Sequence, residues 1–196
     1  MKKFTLTLSL AVTCISLIGQ TVQPLSVNDQ GQITYSQVVK VEEVSKELLS
    51  SNVYAFLESL VDKHKKLKKG PYVNEDSTEI TLPLAYTVYK DFPVHSPHGV
   101  IKYQFTVSVK EGRYRYIATN FVFHYLERNR YGRFVEVKGK SKPLETPYFK
   151  GSQKLWDQHK LNTAEKVNTL AENLQAEIYW HPEDPKQEIV KVNESW

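Results

Sequence analysis

The sequence predicts an α+β fold. It reads as an antiparallel sheet of about five strands with two main helices on one face, in the order β-α-β-β-β-β-α. Three observations carry this. Leu49, Val53, Phe56, Leu57, Leu60, Val61 and His64 recur at spacings of three and four, which is one apolar helical stripe. Ile101, Tyr103, Phe105, Val107 and Val109 alternate with Lys102, Gln104, Thr106, Ser108 and Lys110, and Glu111-Gly112 then turns the chain into a returning strand over 113–123. The strands follow one another between two helices, which separates helices from sheet instead of alternating them.

The first strand is expected at residues 33–41, where β-branched residues roughly alternate with polar ones. Ser45 is a suitable N-cap for the first helix. Lys63, Lys65, Lys66, Lys68 and Lys69 crowd its end, where the helix dipole favours cations, and Gly70-Pro71 stops it. That lysine run reads as a solvated helix end. Residues 72–78 form a polar loop. Ile80, Leu82, Leu84, Tyr86 and Val88 then mark a strand, with Pro83 implying an edge or a bulge because it cannot donate to a ladder. A further strand is expected at 133–138. Residues 144–151 are irregular. A short helix over 152–156 and a second main helix from Asn162 complete the fold. Asn162 and Glu165 resemble a capping box, and Val167, Leu170, Ala171, Leu174 and Ile178 form the apolar stripe.

The ends carry different signals. Met1-Lys2-Lys3 is followed by an uncharged apolar and hydroxyl-rich stretch from Phe4 to Gly19. This predicts a secretory signal over residues 1–19 and an exported, periplasmic or extracellular protein. The stretch is shorter than the roughly 20 residues of a spanning helix, so no transmembrane span is expected after cleavage. Lipidation at Cys14 is the alternative, weakened by Thr13 before it and by the apolar residues after it. Residues 20–32 read as a loose N-terminal lead, 33–180 as a single domain, and 181–196 as a charged tail.

Composition excludes several chemistries. Cys14 is the one cysteine, so a chain cleaved after Gly19 has no disulfide, thiolate nucleophile or cysteine metal site. The net charge of +4 falls to +2 once Lys2 and Lys3 leave, which argues against nucleic acid as a partner. His95-Ser96-Pro97-His98 is the one close histidine pair, and a turn explains it more simply than zinc. Neither a G-x-S-x-G elbow nor a P-loop occurs. Glu42-Glu43 and Glu75-Asp76 lie in polar stretches. No catalytic residue, metal ligand or cofactor is assigned.

Residues 33–39, read Ile-Thr-Tyr-Ser-Gln-Val-Val, and 112–116, read Gly-Arg-Tyr-Arg-Tyr, together with the element order, resemble a bacterial family, domain of unknown function 4468, over residues 33–180. The resemblance implies a TBP-like fold, an exported protein, and a curved antiparallel sheet with helices on its back face. It implies no activity and carries over no catalytic residue. A fold name does not imply DNA binding, because function lives in sites.

The remaining signal is the polar face of the hairpin. Lys102, Gln104, Arg113, Arg115, Thr119, Phe121 and Phe123 are expected on one surface, mixing cations, hydroxyls and aromatics as contact surfaces do. The expected function is a non-enzymatic binding or interaction module for a small molecule or an envelope protein. The alternatives are a periplasmic hydrolase with a site in the concave sheet face and a structural accessory of an envelope assembly.

Overall fold

Three long strands, each of more than ten residues, frame the molecule. The computed structural model describes residues 26–41, 44–63, 70–76, 78–91, 93–146 and 153–179. The elements are β1 (Tyr35–Lys40), α1 (Lys46–Lys63), β2 (Tyr72–Val73), β3 (Glu79–Lys90), β4 (Ser96–Lys110), β5 (Arg113–Arg128), β6 (Phe134–Pro143) and α2 (Gln153–Tyr179). The expectations for the signal, the lysine run at 65–69, Glu42-Glu43, most of 144–151 and the tail fall on residues outside those described.

All pairings are antiparallel, in the order β1-β5-β4-β3-β2, and β6 also pairs with β5. The strand β5 therefore gives one edge to two partners in succession. Residues 113–118 pair with β1, and 122–128 pair with β6. The expected polar loop at 72–78 contains the two-residue β2, which covers only Thr81 and Ile80 of β3. Pro83 sits beyond β2, where β3 has no described strand on its outer side and no donor is missed.

One face of the sheet is apolar and carries both helices. Ile80, Leu82, Ile101, Phe105, Val107, Tyr114, Ala118, Phe121 and Phe123 lie on it, fully buried. They pack against Leu49, Val53 and Leu57 of α1 and against Trp156, Val167, Leu174 and Ile178 of α2. Ser45 caps α1 as expected, its hydroxyl accepting from the Leu48 N–H at 3.3 Å. Burying these branched and aromatic side chains, each worth about 1.5–3 kcal/mol, holds the two layers together.

The C-terminal helix differs from expectation. It is continuous from Gln153 to Tyr179, with no break at Asn162, whose side chain accepts from Gln158 within the helix at 3.0 Å. The reason is that Trp156, His159 and Thr163 extend the stripe of Val167, Leu174 and Ile178, and all are buried. Two polar residues thus occupy core positions. Trp156 Nε1 donates to the Thr146 carbonyl at 2.7 Å, and at the far end the Tyr179 hydroxyl donates to the Lys40 carbonyl at 2.8 Å. The helix is tied down at both ends.

Of the expected lead over 20–32, residues 26–32 form a turn and 20–25 lie outside the described residues. Val27 bridges Ile33 around a turn whose Asn28 carboxamide accepts from the Gln30 and Gln32 N–H groups, and Ile33 is buried.

Candidate functional site

The face opposite the helices is polar because the alternation that builds the core sends its other half outward. Cross-strand register arranges that half in lateral rows. One row runs Glu79, Ser108, Arg115 and Val38 across β3, β4, β5 and β1. The next runs Thr81, Thr106, Ile117 and Ser36, and the Thr81 and Thr106 hydroxyls are hydrogen-bonded at 2.9 Å. A third holds Pro83, Gln104 and Thr119, where Thr119 meets Thr34 at 3.4 Å. Lys110 and Arg113 sit beyond the first row, and Lys102 lies past the third.

Charges on this face are partly matched. Ser108 is buried, and its hydroxyl donates to Glu79 at 3.2 Å. Partial burial lowers the affinity of Arg115 for its proton, and the nearby Glu79 carboxylate opposes this. Lys102 pairs with Glu136 at 2.7 Å, and the His124 ring lies 3.7 Å from the same carboxylate. Burial and then Lys102 push the His124 pKa down, while Glu136 pulls it up. That carboxylate is the polar contact His124 makes among the described residues.

Lys102, Gln104, Arg113, Arg115 and Thr119 share this outer face as expected. Phe121 and Phe123 do not. Both are 0% exposed and point into the core. The cause is a bulge. Gln104 faces Thr119 and Lys102 faces Val122, so Tyr103 alone opposes Asn120 and Phe121. Asn120 takes a φ of 59°, the left-handed region that asparagine tolerates better than most residues. The extra residue reverses the alternation, and Val122 and His124 take the outer positions. The sequence carries a trace of this, since the inward residues run Tyr114, Tyr116, Ala118, then Phe121, with one step of three.

The two clustered histidines separate. His95 is exposed, bonded to Asp91 at 2.6 Å and stacked on Tyr89. His98 turns inward, because a second irregularity between Val88 and Tyr89 leaves it unmatched in the β3 ladder. Its Nδ1 lies 2.8 Å from Nε2 of His159 on α2. Among the described residues no three His, Cys, Asp or Glu side chains gather as a metal site would require.

This histidine pair escaped the sequence reading. His159 is 0% exposed, parallel to Phe123 at 5.7 Å between centroids, and edge-on to Trp156. Its Nδ1 is buried without a hydrogen-bond partner among the described residues. One ring must donate and the other accept, so both cannot be protonated. Burial first, and His98 second, bring its pKa down to about 4. Burial and Lys90 lower that of His98 as well. Next to the pair, the Tyr86 hydroxyl and Thr163 are 2.6 Å apart, and Thr163 donates to the His159 carbonyl at 2.7 Å. The cluster pins α2 to the sheet. Its signal in the sequence was the helical spacing of Trp156, His159 and Thr163.

Comparison with known proteins agrees with this architecture. A TBP-like protein from Parabacteroides distasonis is 18% identical, with a TM-score of 0.57 over 79% of this chain and 96% of its own. A DUF4468 family protein from Bacteroides ovatus is 12% identical, with a TM-score of 0.55 over 82% of this chain and 94% of its own. At such identities the likeness establishes the fold alone. No curated protein matches the chain. The family profile described as "Domain of unknown function (DUF4468) with TBP-like fold" matches residues 35–124, which run from the start of β1 through the Asn120 bulge to His124. Over those residues, just under half of the chain, it is similar to this family.

Proposed function

We propose that the chain is an exported, non-enzymatic binding module whose contact surface is the outer face of the sheet. One observation carries the reading. Both helices pack on the apolar face, and the opposite face presents rows of hydroxyl, amide and cationic groups at fixed cross-strand spacing. A ligand with several hydrogen-bond acceptors and a negative charge fits Gln104, Thr106 and Thr119 with Lys102, Arg113 and Arg115 around them. Rigid strands hold such groups at low entropic cost. The basic and apolar N-terminus supports the export part of the reading.

Gln104 and Thr119 face each other at the centre of the surface, so bulk placed there blocks it without entering the core. Native mass spectrometry of protein from envelope fractions should show a co-purifying molecule in the wild type and lose it in Gln104→Trp and Thr119→Trp. A ligand retained by both folded variants would rule out this face. The same spectra read the mature N-terminus, and a lipidated Cys14 would replace free export with membrane tethering.

A further inference from the structure

We propose that β6 is a docking edge for an acidic, extended polypeptide, which adds to the sheet as a further antiparallel or parallel strand. The strand β6 pairs only with β5, and no described strand lies on its other side. Residues 134–136 and 138–141 are exposed, so the free N–H and C=O groups of this edge meet solvent. The edge comes in two short stretches, 134–136 and 141–143, separated by residues 137–140, which oppose Tyr125 alone. Main-chain groups of such stretches recognise another main chain, which is how strand addition obtains affinity.

Charge selects the partner. Residues 126–143 contain Arg128, Arg130, Arg133, Lys138, Lys140 and Lys142 against Glu127 and Glu136. Both carboxylates are already matched, Glu127 by Lys140 at 3.1 Å and Glu136 by Lys102 at 2.7 Å. The other five cations have no carboxylate among the described residues. Apolar groups are interleaved with them. Tyr131 is 70% exposed beneath the Arg130 guanidinium, Phe134 is 41% exposed and Val135 is 43% exposed. An extended chain carrying both acidic and apolar residues complements these exposed cations and apolar groups.

Lysines on an edge strand also deter pairing between like copies. That effect narrows the choice, because a second copy of β6 would bring cation against cation. An acidic strand meets no such repulsion. The outer-face reading neither requires this edge nor depends on it.

The test uses the full chain and three probes: a labelled peptide of about ten residues alternating Glu and Val, a Glu-Pro repeat of equal charge, and dextran sulfate. Fluorescence anisotropy should show binding of the Glu-Val peptide that weakens with salt. The Glu-Pro repeat, which has half the backbone donors, should bind at least about tenfold more weakly. Lys138→Glu with Lys142→Glu should lose at least about tenfold for Glu-Val, with an unchanged circular dichroism spectrum. Equal competition by Glu-Pro and dextran sulfate would reduce the edge to a nonspecific polyanion surface and overturn the proposal. So would absent binding of the Glu-Val peptide, or full binding by the double variant.

Discussion

Replacing His159 with Phe should remove much of the acid sensitivity of this fold. In the folded chain the His159 ring resists protonation down to about pH 4, against an ordinary value of 6.5, because it is enclosed and faces a second histidine. An unfolded chain leaves that ring in water. Between pH 6.5 and 4 the unfolded state therefore binds a proton that the folded state refuses, and stability falls as pH falls. Below about 4 the loss levels off, and above 6.5 the term vanishes. One proton over that window is worth about 1.4 kcal/mol per pH unit, or about 3 kcal/mol in total. This is an upper bound, since His98 is only partly buried and water reaches that end of the pair. His98 acts in the same direction. His159→Phe keeps a ring against Phe123 and removes the buried unpartnered Nδ1, together with the Nε2 contact to His98. It should leave stability at neutral pH within about 1 kcal/mol of wild type. Urea denaturation followed by circular dichroism, in steps from about pH 7 to about pH 4, gives the comparison. The difference between the two curves reports the His159–His98 pair. Wild type should lose about 2–3 kcal/mol more than the variant over the window. Parallel curves would refute the account and place the acid sensitivity elsewhere.

Other substitutions test the packing. A Cβ at Gly99 would lie 2.2 Å from the Phe123 ring, so Gly99→Ala should cost about 2 kcal/mol or more in thermal unfolding, and adding Phe123→Leu should recover part of it. Asn120→Val should cost about 1–2 kcal/mol because a β-branched residue resists a φ of 59°, whereas Asn120→Gly should be near neutral. The Tyr35 hydroxyl is buried with no hydrogen-bond partner among the described residues, and burial drives its pKa up to about 12. Tyr35→Phe should therefore raise stability by up to about 1 kcal/mol, while Tyr86→Phe, which removes the contact with Thr163, should lower it by about 1 kcal/mol.

The frame was legible because burial and alternation agree. Leu49, Val53, Phe56 and Leu57 keep helical spacing, and Ile101 to Val109 keep strand spacing, so local pattern and tertiary position coincide. The outer-face residues Lys102, Gln104, Arg113, Arg115 and Thr119 followed from the same rule. Phe121 and Phe123 broke it, since one inserted residue at Asn120 reverses every side chain after it. A bulge has no composition of its own beyond an asparagine. The unity of α2 was hidden for a different reason. His159 and Thr163 are polar, and their partners, His98 and Tyr86, lie far away in sequence. Such burial is a property of the pair, which no local window contains. The strand β6 likewise continues to Pro143 beyond its expected end, past Gly139 with a φ of 73° and past residues 137–140, which oppose Tyr125 alone.

Because β5 lends one edge first to β1 and then to β6, with the Asn120 bulge between them, the two pairings are independent in length. The ribbon beyond His124 is free to act as a ruler. Adding two residues to each of its arms would carry the Tyr131 tip about 7 Å further out. The register of β1, and the helices beneath it, would stay as they are. Relatives sharing this fold would thus be able to vary the reach of the ribbon without redesigning the body, which makes its length the dimension in which new contacts are cheapest to explore.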